Sequence, residues 1–214
     1  MGMEKLDDLE IAALLSSKIC HDVIGPVGAI YNGLEVLDEE GNDENSKAYA
    51  LDVIRNFTKQ ASAKLQFARF AFGAAGSAGS LIDLSTCEQI TRGFVETGKH
   101  TLNWAPTAQQ MTKDRAKLLL NLVLSALTAL PRGGEITVTI SGEEQNTSFE
   151  IHCRGVGARP PQNLEEFISG EFRGSLDALT IQPYYTTRLA AKANMRLSVM
   201  LDGSDIILRS IPNS

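Results

Sequence analysis

The sequence predicts an α+β protein in two parts: a helical hairpin that forms a dimeric four-helix bundle, followed by an α/β sandwich. Two long stretches, residues 7–40 and 46–72, carry apolar residues at helical spacing and are separated by the short polar turn GNDENS. The small, glycine-rich run FGAAGSAGS, residues 72–80, then breaks the pattern as a linker does. Beyond it, apolar helical stretches mix with alternating, strand-like ones such as EITVTI and SFEIHC. The expected division is 1–72 for the hairpin, 73–80 for the linker and 81–214 for the sandwich.

In the first helix the stripe is Ile11, Leu15, Ile19, Val23, Pro26, Ile30, Leu34 and Leu37; Asp7 with Glu10 forms a capping box, and Gly41 is a natural stop. In the second it is Leu51, Ile54, Thr58, Ala61, Leu65, Ala68 and Phe72. The short turn returns the chain antiparallel. A hairpin roughly 40–50 Å long, at 1.5 Å per residue, cannot bury its stripe alone. A second copy of the chain supplies the missing hairpin, so a homodimer is expected.

The second part reads as a strand, LIDL, then the helix STCEQITRGFVETG opened by a capping box of Ser85 and Glu88. HTLNWA is a strand, and KDRAKLLLNLVLSALTAL an apolar helix that ends at PRGG. EITVTI and SFEIHC pair as strands. The loop RGVGARPP, one or two helices up to Asn194, and the strands RLSVML and DIILRSI complete the chain. Trp104 and Phe149 are expected in the core, and the acids from Asp38 to Glu44 at a solvated hairpin tip.

Composition narrows the classes of function. The chain of 214 residues is 43% hydrophobic and 21% charged, as in ordinary globular proteins. A net charge of −6 disfavours broad attraction to nucleic acid or anionic lipid. No apolar run approaches the roughly 20 residues that span a bilayer. The opening MGMEKLDDLEI lacks the basic and apolar regions of a signal peptide. Cys20, Cys87 and Cys153 are odd in number and share no metal-like spacing. A reducing cytoplasm is the expected setting.

One stretch departs from an ordinary core helix: HDVIGPVGAI, residues 21–30. Pro26 removes a backbone hydrogen bond, at about 3 kcal/mol, and frees the carbonyl of Asp22. Gly25 and Gly28 each cost about 1 kcal/mol against alanine. Helical spacing gathers His21 with Ser17, Lys18, Gly25, Gly28 and Asn32 on one small, polar face. Neutral imidazole is a nucleophile, and Asp22 is placed to orient it and to take up or stabilise its proton. The antiparallel return sets residues near Leu65 level with His21, which makes Gln66 and Arg69 candidate contacts for a partner. The plain alternative is a bent helix with an incidental histidine. The exposed side, the adjacent carboxylate and the bare glycine surface favour a docking and reaction site.

His21, Asp22 and Pro26 resemble the phospho-acceptor box of two-component histidine kinases, which reads His, an acid, and a proline five residues after the His. The usual polar pair before the proline is here Ile24 and Gly25. The resemblance implies that His21 is phosphorylated and that Asp22 is its acid–base partner. LLLNLVLSALTAL resembles the kinase asparagine box, with Asn121 and Ala126 in place and Ser125 where the metal-binding asparagine falls. Cys153 stands where the adenine-binding aspartate belongs, with Gly155 and Gly157 kept, and DALTIQPYYTTRLAA replaces the glycine-rich lid. A thiol and a hydroxyl are poor substitutes for those groups, and without glycines the backbone cannot wrap a triphosphate.

A histidine box followed by a degenerate histidine-kinase ATPase-like (Bergerat-type) sandwich is similar to the dimeric histidine phosphotransferases of alphaproteobacterial phosphorelays, from about Asp8 to Ile211. The resemblance implies a phosphoryl shuttle between receiver-domain aspartates, through phosphohistidine at His21 and without ATP. It implies no cofactor or metal of the chain's own, since Mg²⁺ comes with the receivers. The implied partners are receivers of a hybrid histidine kinase and of CtrA-like and CpdR-like response regulators, in bacterial cell-cycle control. His100 and His152 lie at strands, without a helical acid neighbour. Two rivals stand beside this. An ATP-dependent histidine kinase fragment is opposed by Ser125, Cys153 and the missing lid. A non-catalytic dimeric adaptor that binds response regulators accounts for Gly25 and Gly28 equally well.

Overall fold

Two long antiparallel helices, α1 (Asp8–Asp38) and α2 (Glu44–Ala71), open the chain. The structure, a computed structural model, describes residues 6–39, 43–73, 80–106, 109–142 and 146–213. The expected helix stop at Gly41 and most of the expected linker, residues 74–79, lie outside the described residues. The capping box of α1 forms as expected: Asp7 Oδ1 accepts from Glu10 N–H at 2.8 Å, and Glu10 Oε2 from Asp7 N–H at 2.9 Å. Asp43 caps α2 by accepting from Ser46 N–H at 2.9 Å.

The stripe expected on α1 divides among three neighbours. Pro26 and Gly33 are buried against α2, where a Cβ at Gly33 would come within 2.8 Å of Ile54 Cγ1, so only glycine admits this approach. Ile11 and Leu15 leave the hairpin and join Phe167, Phe172, Ile181 and Tyr184 of the second part. Leu34, expected inside, is exposed, together with Leu9, Ile24, Val27 and Tyr31. Ile24, Val27, Tyr31 and Leu34 recur at intervals of three and four, the signature of a helix-packing seam. On α2, Leu51 and Leu65 are likewise exposed rather than buried. The apolar surface of α1 is wider than one partner helix covers.

The second part runs β1 (Leu81–Asp83), α3 (Leu84–Val95), β2 (His100–Pro106), β3 (Gln110–Thr112), α4 (Lys113–Ala129), β4 (Gly134–Ser141), β5 (Ser148–Arg154), α5 (Leu164–Ser169), α6 (Ile181–Lys192), β6 (Met195–Asp202) and β7 (Asp205–Pro212). Its main sheet has five strands in the order β2-β4-β5-β7-β6, with β2 and β4 parallel and the other pairs antiparallel. Alternate residues, Ile136, Val138 and Ile140, then Phe149, Ile151 and Cys153, point into the core formed with α4. α4 is buried nearly all round, which its apolar run foretold. β1 and β3 form a separate two-stranded sheet. The capping box read at Ser85 is a correction: Asp83 precedes the helix, Ser85 lies inside its first turn, and Glu88 pairs with Arg92 at 2.8 Å. Phe149 is in the core as expected, and Trp104 packs half-buried against that core.

Candidate functional site

Pro26 does not break α1; it leaves one carbonyl without a helical donor. That carbonyl, of Asp22, accepts from Lys64 Nζ of α2 at 2.8 Å. One turn earlier, Lys18 Nζ donates to Asp22 Oδ2 at 2.9 Å. Asp22 is therefore held by two lysines, one on its backbone and one on its carboxylate. The remaining oxygen, Oδ1, lies 3.6 Å from Nδ1 of His21, whose side chain is 70% exposed. With Nδ1 on the Asp22 side, Nε2 is the ring nitrogen left for an incoming group.

The face around the imidazole is bare. A Cβ at Gly25 or at Gly28 would meet nothing within 4 Å, and Ser17 and Asn32 are exposed beside them. Lys18 differs from the others: it is engaged by Asp22 and turns toward the second part. The Lys64–Asp22 contact fixes the hairpin register and sets residues near Leu65 level with the box. Gln66 is exposed there, with its amide on Ser62 Oγ at 3.1 Å. Arg69 lies further along, its guanidinium 5.1 Å from the ring centre of Phe70. Lys64 escapes a reading of the sequence; the only signal was the carbonyl that Pro26 orphans.

Ser125 and Cys153, the positions that the resemblance sets beside kinase nucleotide ligands, are both buried. Ser125 is buried and donates to Asn121 O at 3.3 Å. Cys153 is buried in the sheet core, and burial pushes its thiol up to about 12. The Asn121 amide donates to Ala71 O at 3.0 Å and to Lys117 O at 2.9 Å, tying α4 to the end of α2. Gln182 of α6 donates in turn to Asn121 O at 2.8 Å. In place of a lid, Asp177 accepts from the N–H groups of Leu179 and Thr180, closing a tight turn just before α6. An open cavity of about 570 Å³ survives here, reached by Lys18 and lined by Ser125, Arg159 and Gln182.

The other histidines are tied into the sheet. His100 Nε2 lies 3.0 Å from Leu130 O, and His152 Nε2 lies 3.1 Å from Asp205. Among the described residues, no group of three or more His, Cys, Asp or Glu could hold a metal ion, and no helix is long and apolar enough to cross a membrane.

Comparison with known proteins decides the family. The family profile "Histidine phosphotransferase C-terminal domain" matches residues 84–205. The chain belongs to the histidine phosphotransferase family. Protein phosphotransferase ChpT of Brucella abortus (strain 2308) is 41% identical over 203 residues, covering 94% of this chain and 95% of its own. That span carries the likeness beyond the matched domain into the helical hairpin. A solved bacterial phosphotransferase is 37% identical, with a TM-score of 0.89 over 98% of this chain and 100% of its own. A histidine kinase of Acinetobacter baumannii, AdeS, is 13% identical, with a TM-score of 0.46 over 90% of this chain and 97% of its own. A helical hairpin followed by an α/β sandwich is the fold this chain shares with that solved phosphotransferase.

Proposed function

We propose that the protein takes a phosphoryl group from the aspartyl phosphate of one receiver domain onto His21 and passes it to the aspartate of another, without using ATP. The observation that carries this is the setting of His21: an exposed imidazole on a bare face, with a carboxylate, itself anchored by two lysines, beside Nδ1. In the first step the Nε2 lone pair attacks phosphorus, and the P–O bond to the donor carboxylate breaks, leaving that carboxylate with the electron pair. The ring gains positive charge, which Asp22 stabilises through the Nδ1–H. In the second step a carboxylate oxygen of the acceptor attacks phosphorus, the P–N bond breaks, and neutral imidazole returns. Mg²⁺ belongs to the receivers in this scheme, and the chain holds no cofactor of its own.

Ser17, Gly25, Gly28 and Asn32 form the proposed landing face, with Gly25 and Gly28 leaving room for a receiver helix and Gln66 at its edge on α2; Lys18 and Arg69 lie off it. Absence of an adenine-reading carboxylate at Cys153 and of a metal-binding amide at Ser125 supports independence from ATP. The exposed seam of Leu9, Ile24, Val27, Tyr31 and Leu34, with Leu51 and Leu65, supports a homodimer in which a second hairpin completes a four-helix bundle. The family resemblance supports a cytoplasmic phosphorelay, with a hybrid kinase as donor and CtrA-like and CpdR-like regulators as acceptors.

Incubation with a labelled, phosphorylated receiver tests the proposal. Acid-labile, base-stable label on the wild type, lost in His21→Ala, is the expected result. Tight binding of the receiver with no label on the protein at any time would leave an adaptor instead.

A further inference from the structure

A second cavity, of about 220 Å³, lies where the foot of the hairpin meets the sandwich and plays no part in the transfer step. Phe70 of α2, Ile82 of β1 and Leu120 of α4 give it apolar walls, and Arg69, Lys113 and Lys117 give it a basic rim. No carboxylate among the described residues pairs with these three cations; the nearby Asp114 is taken by Lys192 at 3.1 Å. Burial, and then the charge of Lys192, push Lys117 down, while the charge of Asp114, already bonded to Lys192, pulls the other way. In a chain of net charge −6 this is a local inversion of sign.

The exposed seam of α1 supplies the complement. Lys64 opposite Asp22 sets the register, so that Ala71, the last residue of α2, stands level with Leu15. Leu9 lies six residues further, about 9 Å past the end of α2 at 1.5 Å per residue. It is 81% exposed, extends the apolar surface of Ile24, Val27, Tyr31 and Leu34, and is flanked by Asp8 and Glu10. When two hairpins lie side by side with their helices running the same way, the partner's α2 ends too early to cover Leu9. The space past the end of that α2 is where the partner's cavity opens, beside its last-turn residues Arg69 and Phe70.

We propose that the first turn of α1 from a second copy seats in this cavity, with Leu9 against its apolar walls and Asp8 and Glu10 toward Arg69, Lys113 and Lys117. The inference rests on the dimer proposed above and goes beyond it. Each sandwich then grips both hairpins, its own through Ala71 and the other through Leu9.

Disulfide trapping tests the seat in the full-length chain. Leu9→Cys and Ile82→Cys are placed on separate co-expressed chains, both carrying Cys20→Ser. Mild oxidation is expected to give a covalent heterodimer on a non-reducing gel. Lys117→Glu is expected to raise the dimer dissociation constant on the order of tenfold, and Asp8→Lys in the same chain to restore it. A dimer in sedimentation that forms no bridge overturns the seat and leaves the dimer standing. A wild type that sediments as a monomer overturns both, and a dissociation constant unmoved by Lys117→Glu overturns the charge pairing.

Discussion

Replacing Lys64 by methionine should destabilise the fold through a single backbone carbonyl. Lys64 Nζ donates to Asp22 O at 2.8 Å, a charged hydrogen bond to an acceptor that Pro26 has stripped of its helical donor. Such bonds contribute about 1.5–3 kcal/mol, and the half-buried position of Lys64 sets the lower end, about 1.5–2 kcal/mol. Methionine keeps most of the apolar stem, so little packing is lost. For a chain of this size the melting temperature should fall by about 3–8 °C. The decisive comparison is the same substitution in a Pro26→Ala background. Alanine at that position restores an N–H one turn after Asp22, so the carbonyl no longer depends on Lys64 and the cost should shrink by about 1 kcal/mol. Urea unfolding of the four proteins at one protein concentration measures this coupling, with equal m-values as the check on each transition. Equal costs in the two backgrounds would refute the account, and Lys64 would then stabilise the hairpin in some other way.

His21→Ala should abolish phosphate uptake from a receiver while leaving the melting temperature unchanged, since the ring is largely exposed. Gly28→Leu should block transfer with fold and dimer intact, because its side chain enters open space; an unchanged transfer rate would mean that the receiver lands elsewhere. Ile24→Asp, on the exposed seam, should convert the dimer to a monomer in sedimentation at micromolar concentration. ATP with Mg²⁺ should not label the wild type, and calorimetry should find affinity at least tenfold to a hundredfold below that of a kinase. Loss of one charged hydrogen bond to adenine, about 1.5–3 kcal/mol, already accounts for that factor. Autophosphorylation at His21 would restore the kinase alternative.

What the sequence disclosed was local. His21, Asp22 and Pro26 fall within six consecutive residues of one helix, so spacing alone brings them together. The change from helical to alternating pattern near residue 80 likewise needs no tertiary knowledge. The missing pieces were contacts between distant segments. Lys64 meets Asp22 across 42 positions and binds a backbone atom, which no residue type announces. A stripe drawn at 3.6 residues per turn cannot say which neighbour covers each sector. Ile11 extends past the end of α2, and Leu15 stands level with it, so the sandwich takes both, while Leu34 belongs to the outward seam. β3 is three residues long, too short for alternation to register. At α3 the helix begins one residue after Asp83, before the serine whose spacing to Glu88 imitated a cap.

The contacts also show how the sandwich is attached to the hairpin that carries His21. Phe67 of α2 stacks on Phe94 of α3 with ring centres 4.2 Å apart, and Ala71 and Leu120 close the same cluster. On the other helix, Ile11 and Leu15 pack among the aromatic rings of α5 and α6. Asn121 adds a polar tie, its amide donating to Ala71 O at 3.0 Å. Both helices of the hairpin are therefore held, at the same end and by different elements. Truncating one buried aromatic of this kind costs about 3–5 kcal/mol, so parting the sandwich from the hairpin is opposed at two places. A domain that binds ATP and phosphorylates its own histidine must bring nucleotide to that histidine, which contacts at both helices oppose. The proposed transfer has the opposite requirement: His21 is presented in one setting to a donor and then to an acceptor, with nothing closing over it. Asn121, turned inward onto the Ala71 carbonyl, fits a brace for the hairpin, and the surface at Gly25 and Gly28 is left bare.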